Sequence, residues 1–289
     1  MVQYTYSSHR TRKIDKIKKQ RVKYPQVARN IVDTSDIILE VIDVRFFEET
    51  RNVELEEEIE KQGKKIIYVL NKADLVKGSK LSQIKGTVYP YSIVSCVKRS
   101  GIKNLRDLIK QIAKTIEKRE KREIRKDKVV IGDDKRIKVG VIGYPNAGKS
   151  SLLNLLAGKS AAGVGAEAGF TRNVQKVRLT EDIVLVDSPG VIPGEHYSEI
   201  DKEKIAHHTL AGGKSYTQVK EPELVVDNLV KKFPGVLEKY YKIETEGDSE
   251  VLIEELGKEK GFMKKGGLVN EDQSAREILR AWQMGEIKV

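Results

Sequence analysis

The residues from Gly143 to Ser150, Gly-Tyr-Pro-Asn-Ala-Gly-Lys-Ser, follow the pattern GxxxxGK[ST]. Such a loop holds phosphate: glycines let backbone N–H groups close around it, a lysine neutralises its oxygens, and a hydroxyl ligates Mg²⁺. Ala147, Gly148, Lys149, Ser150 and Ser151 are therefore candidate nucleotide contacts, with Ser150 the candidate Mg²⁺ ligand. Asn71-Lys72-Ala73-Asp74 offers a different chemistry. The Asp74 carboxylate can accept two hydrogen bonds from guanine N1 and its exocyclic amine, a donor pair that adenine lacks. Asn71 would brace the loop or contact the base, and the stem of Lys72 can cover the ring. Ser95-Cys96-Val97 resembles the Ser-Ala-Lys element of guanine sites, with Cys96 in place of the alanine, and that resemblance implies a backbone N–H meeting guanine O6. Cys96 also reads as a small buried residue, and both readings can hold together.

Asp187-Ser-Pro-Gly190 ends an apolar stretch, Ile183 to Val186, in the manner of a DxxG element. Asp187 would hold Mg²⁺ through water, and the Gly190 N–H would sense a γ-phosphate. Thr171, in Gly-Phe-Thr-Arg-Asn-Val, lies between these two phosphate elements. It either closes on Mg²⁺ and γ-phosphate and opens after hydrolysis, or is an ordinary loop threonine. His9 lies in a basic N-terminal stretch, and His207 and His208 have no partner at metal-ligand spacing.

These motifs need strand ends and helix starts to hold them. Ile37–Asp43, Lys65–Leu70, Thr87–Ser92, Ile137–Ile142, Val174–Leu179 and Ile183–Val186 read as strands, mostly apolar and β-branched. Helical spacing marks Val53–Lys61 and Ile102–Ile116, the latter continued by the charged run Lys118–Lys128. A further helix begins at Ser151. Alternating strands and helices of this kind predict an α/β fold, a doubly wound and mostly parallel sheet. Past Pro193 strand signals largely vanish. Lys202–Leu210, Glu223–Lys231, Val236–Tyr241, Val251–Lys258 and Asp272–Met284 read as helices, with Trp282 a core residue. The expected organisation is a basic arm over 1–29, a nucleotide domain over 30–196 and a smaller all-α domain over 197–289.

The chain has 289 residues and a net charge of +11. Arg10 to Arg29 carries nine basic residues against Asp15 alone, which favours an interaction tail for a polyanion, RNA before acidic lipid. Solvated lysine-rich faces would account for part of the same charge. No run approaches the length of a membrane span, and no apolar leader is evident at the start. With Cys96 as the only cysteine, an internal disulfide is excluded and a reducing cytoplasm is the default.

In the ordinary arrangement the phosphate loop comes first and NKxD follows; here the order is reversed. Together NKAD (71–74), SCV (95–97), GYPNAGKS (143–150), GFT (169–171) and DSPG (187–190) resemble the circularly permuted GTPases of the RbgA/YlqF type. These are ribosome-assembly factors. Gly266-Gly-Leu-Val-Asn270, Ala275, Ile278-Leu-Arg280 and Gly285-Glu-Ile287 resemble that family's C-terminal helical domain, so the likeness covers nearly the whole chain. The resemblance implies binding of GTP and GDP, Mg²⁺-dependent hydrolysis, action on the large ribosomal subunit, and rRNA contact by the C-terminal domain. A monomer without membrane attachment is the accompanying expectation. Val191 and Ile192 stand where an ordinary switch carries a water-orienting glutamine, so catalysis needs another device. Asn146 occupies the position that similar GTPases use to coordinate K⁺ between the phosphates, or it simply stabilises the loop. Lys149, Thr171, Gly190 and Asn146 are thus the candidate catalytic set. The family's arm often carries a histidine in a Phe-Pro-Gly-His-Met setting; His9 lacks those neighbours and reads more simply as a solvated arm residue. Three other readings remain: a GTP-dependent RNA scaffold with negligible hydrolysis, a regulator of a protein or membrane partner and, more distantly, an ATP-dependent kinase.

Overall fold

The computed structural model describes residues 28–124, 136–158, 176–187, 210–213 and 215–289. β1 (Ile37–Asp43) is apolar at nearly every position, and all seven residues are buried. Such a run suits a strand covered on both faces. Its side chains alternate accordingly. Ile37, Leu39 and Val41 enter one apolar cluster, Ile38 and Ile42 the other. On either side lie β2 (Lys65–Asn71) and β4 (Ile137–Gly143), both parallel to it. β3 (Tyr91–Ile93), β6 (Ile183–Asp187) and β5 (Lys176–Arg178) complete the order β3-β2-β1-β4-β6-β5. Only β5 runs antiparallel, to β6.

Helices cover both faces, as the alternation predicts. A helix over 28–34, α3 (Val53–Lys61) and α4 (Gly78–Ile84) bring Ile31, Leu55, Ile59 and Ile84 to one face. The other receives α5 (Ile102–Ile124) through Leu105 and Ile109, and α6 (Lys149–Ala157) through Leu152 and Leu156. With the helix over 28–34 as α1, the short turn Phe47–Thr50 is α2.

Two boundaries differ from expectation for physical reasons. The third strand is only Tyr91–Ile93, not Thr87–Ser92. Pro90 has no N–H for a ladder, and Thr87 to Pro90 form a turn from which the Pro90 carbonyl accepts from Tyr68 N at 3.0 Å. The helix after the phosphate loop starts at Lys149 rather than Ser151, because Leu152 N already bonds the Gly148 carbonyl at 2.9 Å.

The described residues beyond 210 form α7 (Pro222–Lys232), α8 (Val236–Tyr241), α9 (Ser249–Lys260) and α10 (Glu271–Met284). Local chemistry sets their starts. Pro222 occupies the first turn of α7, where no N–H is missed. Asp248 caps α9 by accepting from Glu250 N and Val251 N, and Asn270 caps α10 by accepting from Gln273 N. Val225, Leu229, Leu252, Leu256, Ile278 and Trp282 join the same cluster as the sheet face above α5. Trp282 meets Phe46 edge-on at 5.9 Å and Phe233 at 5.1 Å, so aromatic rings stitch these helices to the end of β1. The basic arm up to residue 27, the expected boundary at 197 and most of the helix expected over Lys202–Leu210 lie outside the described residues. Among the described residues no helix is long and apolar enough to cross a membrane.

Midway along β1 a buried carboxyl interrupts the apolar pattern. Glu40 is fully buried; its Oε1 accepts from Asn52 N at 2.7 Å at the start of α3. Neighbouring Glu56 takes a forked pair from Arg51 (2.9 and 2.6 Å) and the Tyr68 hydroxyl at 2.9 Å. Burial, reinforced by the Glu56 charge, pushes the Glu40 carboxyl from 4.5 up to about 8. A value raised on folding favours the fold at low pH, and stability falls as pH rises from the unfolded value through the folded one. Glu40→Gln keeps the acceptor for Asn52 N and offers Glu56 a donor. It should stabilise the protein by on the order of 3 kcal/mol at pH 9 and by little near pH 5, read by urea unfolding at both. An equal effect at the two pH values would contradict a buried neutral carboxyl.

Candidate functional site

The strand ends converge. Asp43 of β1 lies opposite Asn71 of β2, Val41 opposite Gly143 of β4, and Val141 opposite Asp187 of β6. Each motif therefore starts at the carboxyl edge of a parallel sheet, where doubly wound folds bind ligands.

The phosphate loop bridges β4 and α6. Gly143 has φ 146° and Gly148 has φ 102°, both in the region that favours glycine. Close contacts make the same demand. A Cβ at Gly143 would sit 2.4 Å from the Val41 carbonyl oxygen, and one at Gly148 would sit 2.2 Å from Asn71 Nδ2. Lys149 is buried, and its ammonium donates to the Gly143 and Tyr144 carbonyls at 3.1 and 2.9 Å. Ser150 and Ser151 are exposed at the start of α6, where helix N–H groups and the macrodipole favour an anion.

Asn71 binds the base-reading element directly to this loop. Its Nδ2 donates to the Ala147 carbonyl at 2.7 Å, and its Oδ1 accepts from Cys96 N at 3.3 Å. Of the roles open to Asn71, bracing is the one its bonds perform. The Cys96 amide is directed at Asn71, and burial pushes the Cys96 thiol up to about 11, so the sulfur stays neutral. Ser95 donates to Asp74 Oδ1 at 2.5 Å and accepts from Lys98 N at 3.0 Å. The Asp74 carboxylate is thereby held in one orientation, while Val97 is 77% exposed beside it. Lys72 takes a left-handed conformation (φ 61°) and turns its ammonium to Asp43 Oδ2 at 2.8 Å. Burial would raise the Asp43 carboxyl, but the Arg45 and Lys72 charges outweigh it and hold it well below the usual carboxylate range.

Asn146 is exposed, with φ 58°, and donates through Nδ2 to the Gly212 carbonyl at 2.8 Å. Its amide thus links the phosphate loop to the segment entering the C-terminal helices. Thr171, Gly190, Val191, Ile192, His9, His207 and His208 lie outside the described residues, as does the side chain of Asp187. Asp43, Arg45 and Gly212 were not singled out by motif. The available signal was an acid two residues before a base at the end of a buried strand, Asp43-Val-Arg45.

A mostly parallel sheet carrying a phosphate loop after β4 and a guanine-type element after β2 defines a circularly permuted P-loop nucleotide-binding fold. Comparison with known proteins agrees. The model of a family described as 50S ribosome-binding GTPase matches residues 138–253, starting at β4. An uncharacterized GTP-binding protein of Methanocaldococcus jannaschii is 35% identical over 273 residues, 93% of this chain and 67% of that protein. Nucleolar GTP-binding protein 2 of Neurospora crassa is 32% identical over 89% of this chain, and GTPase grn1 of Schizosaccharomyces pombe 28% identical over 93%. The chain spans 40% and 61% of the length of those two fungal relatives. The structure of GNP-bound YlqF from T. maritima superposes with a TM-score of 0.61 at 17% identity, covering 92% of this chain and 97% of that one. The chain belongs to the circularly permuted GTPases of the YlqF type.

Proposed function

We propose that the chain binds GTP and hydrolyses it to GDP and phosphate as an assembly factor of the large ribosomal subunit, with its C-terminal helical region contacting rRNA. The observation that carries the nucleotide part is the Asn71–Ala147 bond, which makes the base-reading and phosphate-holding elements one unit. The ribosomal part is supported by the family description and by the net charge of +11. Mg²⁺ is a hard cation that usually takes a few protein oxygens, substrate phosphates and water. The exposed Ser150 hydroxyl and the position of Asp187 at the end of β6 fit that donor set. The ion would offset charge on the β- and γ-phosphates.

Lys149 would exchange its loop carbonyls for phosphate oxygens. Water would attack the γ-phosphoryl group in line, with catalysis coming from positioning and charge. The Val191 side chain offers no hydrogen bond to that water, so charge stabilisation carries more of the step; we assign the positive charge that an arginine finger would supply to K⁺ near Asn146, whose Oδ1 is its acceptor atom. Thr171 and Gly190 would close on the γ-phosphate and relax after its loss. A monomer acting in a reducing cytoplasm completes the reading. Phosphate release is expected to be slow alone and at least ~10-fold faster with large-subunit precursor particles, and faster in K⁺ than in Na⁺. Equal rates with and without particles would reject the stimulated enzyme; no release under any condition would favour a GTP-dependent RNA scaffold.

A further inference from the structure

We propose that Asp43 and Arg45 are positioning residues that couple guanine binding to the docking of α10, so that GDP as well as GTP tightens the C-terminal helices against the nucleotide domain. The inference rests on the guanine-nucleotide reading above.

The bonds form a continuous circuit. Asp43 Oδ1 accepts from Arg45 N and Nε, both at 3.1 Å. Asp43 Oδ2 accepts from Arg45 Nη2 at 2.9 Å and from Lys72 Nζ at 2.8 Å. One buried carboxylate thus serves a cation of the base-reading element and a cation facing the helices. Arg45 then donates Nη1 to the Trp282 carbonyl at 2.9 Å, and its guanidinium lies 4.7 Å from the indole centroid. Trp282 Nε1 donates to the Leu210 carbonyl at 3.2 Å, two residues before Gly212, which accepts from Asn146 of the phosphate loop. Asn71 closes the circuit through Ala147. The chain end adds a second clamp. Val289 N donates to the Leu75 carbonyl at 2.8 Å, directly after Asp74, and Gly285 packs on the Leu75 side chain.

Each joint is directional and most are buried, with Arg45 3% and Trp282 0% exposed. If docked helices hold Lys72 where the guanine ring needs it, then guanine must by thermodynamic linkage favour docking by the same factor. The route runs through the base side of the site. It therefore distinguishes bound from unbound nucleotide, whereas a γ-phosphate sensor distinguishes GTP from GDP.

Trp282 is the sole tryptophan, so its fluorescence reports this interface. GDP added to the wild-type chain should change Trp282 emission and slow amide exchange at Glu286 and Val289, and GTP should do the same. Arg45→Gln should weaken mant-GDP binding ~10-fold and abolish the Trp282 response, with affinity partly rescued in Arg45→Lys. Trp282→Phe, which touches no nucleotide element, should also weaken mant-GDP binding. GDP binding to the wild type with neither emission change nor exchange protection would overturn the proposal, even if the Arg45 variants fail to fold. Native GDP affinity in folded Arg45→Gln would overturn it equally. Wild-type protein that binds no mant-GDP would instead overturn the guanine reading itself.

Discussion

Gly148→Ala is expected to lower affinity for GDP and GTP at least ~100-fold, about 3 kcal/mol, while leaving the sheet folded. The added Cβ would lie 2.2 Å from Asn71 Nδ2, inside any real contact distance. Asn71 has little freedom to retreat, because it is 1% exposed and its two amide atoms are bonded to Ala147 and Cys96. The backbone adds to the conflict: φ at this position is 102°, and a non-glycine residue there costs on the order of 1–3 kcal/mol. The loop must therefore move away from β2, carrying its N–H groups and Lys149 with it. Both losses fall on the site rather than on the apolar clusters, so thermal unfolding should shift by only a few degrees. A double-mutant cycle separates the causes. If the Asn71 contact dominates, Gly148→Ala should cost much less affinity in an Asn71→Ala background than in the wild type. Isothermal titration with GDP reads all four corners, and strict additivity would show that backbone strain alone is responsible.

The elements that hold this site were legible because their residues answer to local rules. β1 and β2 are short, mostly apolar and β-branched runs, a pattern that suits strands buried on both faces. α3 begins at a capping asparagine, Asn52, and buries Leu55 and Ile59 four residues apart. Glycine-bearing loops at strand ends gave the phosphate and base elements through covalent spacing. What could not be read was the set of partners chosen in three dimensions. Lys72 looks like a cover for a base, yet its ammonium is committed to Asp43, nearly thirty residues earlier. Asn146 suits a cation or a loop brace equally by type; its bond to Gly212 follows from how the chain returns past the loop. The short β3 was obscured because Val88 is buried like a strand residue while Pro90 interrupts the ladder. Thus motif chemistry was sequence-local, whereas the contacts joining the helical region to the site arise from packing of segments distant in the chain.

Asp74→Asn should lower GDP affinity ~100-fold or more and transfer preference to xanthosine diphosphate. Ser95 already donates to Asp74 Oδ1 at 2.5 Å, and Lys98 N fixes the Ser95 hydroxyl from behind. An amide at this position would turn its oxygen to Ser95, leaving its NH₂ towards the base. Guanine N1–H and its amine are both donors, so a donor would face donors and two hydrogen bonds would be lost. Each unsatisfied buried polar group costs roughly 1–3 kcal/mol, which sets the expected loss. Xanthine carries a carbonyl where guanine carries the amine, and that oxygen would accept from the new NH₂. Ser95→Ala should weaken GDP binding by a smaller factor, ~10-fold, because it loosens the carboxylate without reversing its polarity. Competition of mant-GDP by GDP, XDP and ADP on the three proteins reads these outcomes. Unchanged GDP preference in Asp74→Asn would remove Asp74 as the base-selecting group. The Asp43–Lys72 pair would then be the place to look, since Lys72 belongs to the same loop.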